Sequence, residues 1–85
     1  MNIIICGAGR VGFTIAKILS EQGHSITIID QSSDDIQKID DTLDVKSIVG
    51  KGTYPSILEK ASAADADMII AVTRNDEINL SLIHI

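Results

Sequence analysis

The stretch Ile3-Ile4-Ile5-Cys6-Gly7-Ala8-Gly9-Arg10-Val11-Gly12 stands near the front of the chain and decides how the rest is read. Three consecutive isoleucines are stiff at χ1 and favour a pleated, buried strand. The glycines that follow are spaced Gly-x-Gly-x-x-Gly. Where such a triplet leaves a strand and opens a helix, each glycine has a physical task. Gly7 permits the tight turn, Gly9 lets a pyrophosphate approach the backbone, and Gly12 lets the helix lie close to the strand. The triplet alone also fits an ordinary turn, so the residues around it must decide.

Working outward, the hydrophobic period alternates between two kinds. Residues 2 to 6 read as a strand. Val11, Ile15, Ile18 and Leu19 then recur at helical spacing until Gly23, a helix stop. Residues 25 to 30 (Ser-Ile-Thr-Ile-Ile-Asp) make a second strand. Ser32 and Ser33 offer N-caps for a helix whose stripe is Ile36, Ile39 and Leu43, with Asp34 and Asp35 at the positive end of its dipole. Val45 to Val49 is a third strand, closed by Gly50-Lys51-Gly52-Thr53, and Pro55 opens a helix running to Ala61. Asp67 to Val72 is the fourth strand, and a last helix is expected from Asn75 or Asp76, carrying Ile78, Leu80, Leu82, Ile83 and Ile85.

A βαβαβαβα series of this kind requires parallel strands joined by right-handed crossovers. The fold class is therefore α/β, a doubly wound Rossmann-type parallel sheet with strand order 3-2-1-4. Sheets of this class continue with two more strands, so residues 1–85 read as a partial dinucleotide-binding domain, truncated after the fourth βα unit, with residues 81–85 an uncertain ending. A chain of this size buries only roughly 60 to 65% of the surface it exposes unfolded, which makes for a thin core. Its 45% apolar content includes one Phe, one Tyr and no Trp, so that core is aliphatic.

Composition also excludes function classes. The formal charge is −5, from 7 basic and 12 acidic residues, and no basic stripe exists to neutralise a run of phosphates, which argues against nucleic acid. The single cysteine, Cys6, has no disulfide partner and reads as a buried thiol suited to a reducing cytoplasm. Ile3 to Cys6 is too short for a signal peptide and no stretch approaches a membrane span, so no direct membrane insertion is expected. The acidic residues Asp34, Asp35, Asp40, Asp41 and Asp44 lack calcium-loop spacing, and His24 and His84 are single, so no metal site follows. No lysine follows Tyr54 four residues on, and no Ser, His and Asp grouping is legible, so no catalytic machinery is read.

The binding residues are more legible. Asp30 ends the second strand 18 residues past Gly12, near the spacing of a carboxylate that grips ribose hydroxyls. It would otherwise cap the next helix, but Ser32 and Ser33 already supply that, so the ribose role is favoured. A carboxylate there repels a 2′-phosphate, which selects NAD(H) over its phosphorylated form. ATP or ADP would make the same contacts. Arg10 opposes the dipole of its own helix and is either partnered by a bound anion or simply solvated. Thr73 either touches the dinucleotide across the switch point or caps the helix after it. Gly50-Lys51-Gly52-Thr53 either borders the adenosine or is a plain turn, the latter being favoured.

Ile4 to Gly12, the terminal Asp30, Gly50 to Thr53, and Asp65-Ala66-Asp67-Met68-Ile69-Ile70-Ala71-Val72-Thr73 followed by Asn75-Asp76-Glu77 together resemble the N-terminal domain of the TrkA family, in the class called RCK or KTN domains. The resemblance spans nearly the whole chain. It implies an NAD-binding, nucleotide-sensing regulatory subunit of bacterial potassium uptake, without enzymatic turnover. Such a subunit is cytoplasmic, assembles as a homo-oligomer through paired domains, and lies at the inner membrane through a potassium-translocating membrane partner. By matched positions the nucleotide-lining residues would be Gly7, Ala8, Gly9, Arg10, Val11, Gly12, Asp30, Thr73 and Arg74, the last often small or polar in the family. The competing class is the cofactor domain of an NAD-dependent dehydrogenase whose catalytic domain lies elsewhere.

Overall fold

A computed structural model describes residues 1–51, 55–61, 63–72 and 80–84. The chain runs β1 (Asn2–Cys6), α1 (Arg10–Glu21), β2 (Ser25–Asp30), α2 (Ser33–Thr42), β3 (Lys46–Val49), α3 (Pro55–Lys60), a short 3-10 turn (Ala63–Asp65), β4 (Met68–Val72) and β5 (Leu80–His84). The sheet order is β3-β2-β1-β4-β5. The first four strands are parallel and in the expected 3-2-1-4 order, with Ile3 opposite Ile26 on one side and Met68 on the other.

Why these residues form a two-sided sheet is visible in β1. Ile3, Ile4 and Ile5 are 2%, 2% and 0% exposed, so consecutive side chains, which point to opposite faces, are both covered. Ile3 and Ile5 join Ile26, Ile28, Ala16 of α1, and Ile36 and Ile39 of α2 in one cluster. Ile4 joins Ile29, Ala61 and Ala66 in a second cluster on the other face. Each buried isoleucine contributes about 1.5 to 3 kcal/mol, and the continuous apolar run of β1 is what a strand covered on both faces requires.

The helix ends follow local chemistry. α1 stops where Gly23 takes φ +89°. His24 N–H donates to the Leu19 carbonyl at 3.2 Å and Gly23 N–H to Ser20 at 3.1 Å, a paired closure in which glycine accepts the left-handed conformation without a Cβ penalty. Ser32 caps α2, its Oγ accepting from Asp35 N–H at 3.2 Å.

One expectation is overturned. Leu80 to His84, expected within a final helix, form a fifth strand that pairs antiparallel with β4, from Met68 opposite His84 to Val72 opposite Leu80. The expected helix start at Asn75 or Asp76, with Ile78 and Ile85, lies outside the described residues, and the sheet is mixed. A parallel sheet ending at β4 would leave a row of unpaired N–H and C=O groups, which a following apolar segment satisfies by adding to the edge. Over five residues, Leu-Ser-Leu-Ile-His carries no period that separates helix from strand.

Candidate nucleotide-binding site

The glycine turn sits at the carboxyl rim of the sheet, where β1 gives way to α1. Gly7 has φ +123°, a conformation that side chains rarely adopt, and a Cβ there would meet the Val72 carbonyl oxygen at 2.6 Å. Its N–H donates to the Ile29 carbonyl at 2.8 Å. Gly7 is thus wedged between the ends of β2 and β4. A Cβ on Gly12 would overlap the Gly7 carbonyl, so the first turn of α1 rests directly on the loop. Both glycines have reasons internal to the chain.

Gly9 has none. Its φ is −70° and ψ −168°, extended backbone open to any residue, and nothing lies within 4 Å of where its Cβ would stand. It is the N-cap of α1 yet provides no side-chain hydrogen bond, and the first turn holds no acidic residue. The opening amides of a helix have no intrahelical acceptor, and here the chain puts the cation Arg10, exposed, beside them. Open space, amides without an intrahelical acceptor and a nearby cation are the features that an anion receptacle at a helix start needs.

Asp30 closes the site from β2. It is 6% exposed, a buried carboxylate. One oxygen, Oδ2, accepts from Ala8 N–H at 2.7 Å. The other, Oδ1, accepts from Ser32 N–H at 2.8 Å. The second bond gives Asp30 a part in the turn that leads into α2, while Ser32 caps the helix proper. The first bond was invisible in sequence, since it joins residues 22 apart. The Asp30 carbonyl additionally accepts from Gly50 N–H at 2.8 Å, which brings the turn after β3 to the same rim. Of the expected lining residues, Gly7, Ala8, Gly9, Arg10, Val11, Gly12 and Asp30 are gathered there. Thr73, Arg74, Gly52 and Thr53 lie outside the described residues.

Cys6 is half-buried at the end of β1, immediately before the turn, and burial pushes its thiol above the ordinary value. A cavity of about 280 Å³ lies at the opposite rim, lined by Asn2, Ser25, Thr27 and Lys46 among others. Ligands of open α/β sheets bind outside the carboxyl ends of the strands, so this cavity is not the site. Among the described residues no helix is long and apolar enough to cross a membrane.

The TrkA-N domain family matches residues 3–85 of the chain. The chain belongs to that family. Among curated relatives, the "Trk system potassium uptake protein TrkA" of Azorhizobium caulinodans is 46% identical over 80 residues, 94% of this chain and 18% of that protein. The protein of the same name from Halomonas elongata is 44% identical over the same shares. A TrkA homolog of Methanothermobacter thermautotrophicus is 40% identical, with 37% of its length covered. This TrkA-N chain therefore spans about a fifth of the length of the first two. Among solved structures, the "Shewanella denitrificans Kef CTD in AMP bound form" is similar at a TM-score of 0.66 and 32% identity, over 81% of this chain and 39% of that one.

Proposed function

We propose that this TrkA-N domain is the nucleotide-sensing part of a potassium-uptake regulator. The observation that carries the reading is Gly9: an extended glycine facing open space at an uncapped helix start, beside the buried Asp30 carboxylate. The opening amides of α1 would hold the phosphates, Arg10 would neutralise part of their charge, and Asp30 would accept from ribose hydroxyls while repelling a 2′-phosphate. The ligand is NAD(H), with ATP and ADP able to make the same contacts. The relatives named for potassium uptake and the neighbour titled in an AMP-bound form support a nucleotide-linked regulatory role.

In this reading the domain is not an enzyme. Its residues bind and orient the nucleotide, and signalling is a population shift: ligands that fill the rim differently bias the geometry of paired domains in a homo-oligomer. The shift is passed to a membrane potassium-translocating partner, which holds the cytoplasmic regulator at the inner membrane. Calorimetric titration of the protein with NAD+, NADH, ATP and ADP tests this. Saturable binding that Gly9→Ala weakens at least about tenfold, at a cost of no more than about 1 kcal/mol of stability, is expected, together with an altered nucleotide dependence of potassium uptake in cells carrying the variant. No binding of any of the four, or hydride transfer seen at 340 nm, overturns it.

A further inference from the structure

We propose that Asp30 is a positioning residue as well as a ligand contact: its carboxylate holds the Ala8 amide, and so sets the glycine turn in its binding geometry before any nucleotide arrives. The proposal rests on the nucleotide reading above and assigns this site an internal brace.

Asp30 and Ala8 are 6% and 5% exposed. A buried carboxylate without donors is costly, as is a buried amide without an acceptor, so each secures the other. Charge-assisted bonds of this kind are short and roughly twice as strong as neutral ones. The carboxylate cannot swing freely, because Ser32 N–H holds Oδ1 at 2.8 Å while Ala8 N–H holds Oδ2 at 2.7 Å. One residue earlier, Gly7 N–H is tied to the Ile29 carbonyl at 2.8 Å. The turn is therefore fixed to the end of β2 at two successive amides, Gly7 and Ala8. The next residue, Gly9, opens onto the free amides of α1. The brace stops where the anion receptacle begins.

Asp30 then acts on binding by two separable routes. As an acceptor it recognises sugar hydroxyls. As a brace it orders the turn for the phosphates, and that route does not need the hydroxyls. Calorimetry of the protein and its Asp30→Ala variant with ADP and with 2′,3′-dideoxy-ADP separates them. The brace predicts that the variant loses about tenfold in affinity for the dideoxy nucleotide, about 1.4 kcal/mol, and more for ADP. Unchanged affinity for the dideoxy nucleotide overturns the brace and leaves nucleotide binding standing. No binding of ADP to the unsubstituted protein instead speaks against nucleotide binding itself. A second measurement holds whether or not the variant folds: NMR-detected hydrogen exchange in the ligand-free, unsubstituted protein. The Ala8 amide is expected to exchange at least about tenfold more slowly than those of Arg10 and Val11, as a buried bonded amide does beside open ones. Exchange of Ala8 as fast as theirs overturns the proposal.

Discussion

The starts of α1 and α2 lie on one rim of the sheet, each directly after a parallel strand, and they are built in opposite ways. α2 supplies its own stabilisation: Ser32 Oγ accepts from Asp35 N–H, Asp34 and Asp35 stand in the first turn, and Asp30 holds the entering Ser32 amide. α1 has Gly9 where a capping side chain would go, no acid in the first turn, and a cation at its first position. A cap is worth about 1 kcal/mol and an acid in the first turn about 0.3 to 1 kcal/mol. A chain that caps one helix fully and forgoes both at its neighbour has the asymmetry that the proposed anion site at the start of α1 requires.

The contrast can be broken at several points. The largest effect is expected from Gly12→Ala, whose new methyl would overlap the Gly7 carbonyl and lift α1 off its turn. Overpacking against backbone should cost about 3 kcal/mol or more, read as a large fall in the denaturant midpoint, and a wild-type midpoint would show that the helix does not rest on the loop. Next, Gly9→Asp turns the start of α1 into a copy of α2. It should lose nucleotide affinity by about 100-fold, about 2.7 kcal/mol, while stability holds or rises by a few tenths of a kcal/mol, since aspartate caps somewhat better than glycine. Binding that survives with full strength would mean the free amides are not the receptacle.

The mirror experiment is Ser32→Ala. It should cost about 1 kcal/mol of stability in a chemical melt and leave nucleotide affinity untouched, because α2 uses its cap only for itself. The smallest effect concerns the apolar end of β1. Burial holds the folded Cys6 thiol above its ordinary value, so the unfolded chain releases that proton first. The Cys6 contribution is complete below about pH 8.5, the ordinary thiol value, and is lost as the pH rises toward the folded value. Melts of the protein and of Cys6→Ala should therefore draw closer between pH 7 and pH 10. A gap that widens would place the thiol in a setting that favours the thiolate.

The opening strand, its glycine turn and the capped start of α2 were legible because their causes are local: isoleucine stiffness, missing Cβ atoms, a serine oxygen three residues from the amide it meets. The gathering of Gly7 to Gly12 with Asp30 was legible too, through the spacing that parallel βαβ connections impose. The double duty of Asp30 was not. A carboxylate reads as ribose ligand or helix cap from its neighbours in sequence, while its bond to Ala8 exists only because β1 and β2 lie side by side. The spacing of the three glycines assigned each a task, and only the fold supplies the contacts that go with two of them: the Val72 carbonyl against Gly7 and the Gly7 carbonyl under Gly12, with open space around Gly9.

By itself, then, the order of residues determined the βα alternation, the parallel 3-2-1-4 arrangement and the rim on which a nucleotide would lie, because hydrophobic period, helix caps and crossover handedness are short-range properties. Tertiary structure alone decided that Leu80 to His84 extend the sheet as β5, and that Asp30 braces the turn it faces. Both are choices of a distant partner, an unpaired strand edge in one case and a buried amide in the other, and the demand for that partner arises only once the rest of the sheet has formed.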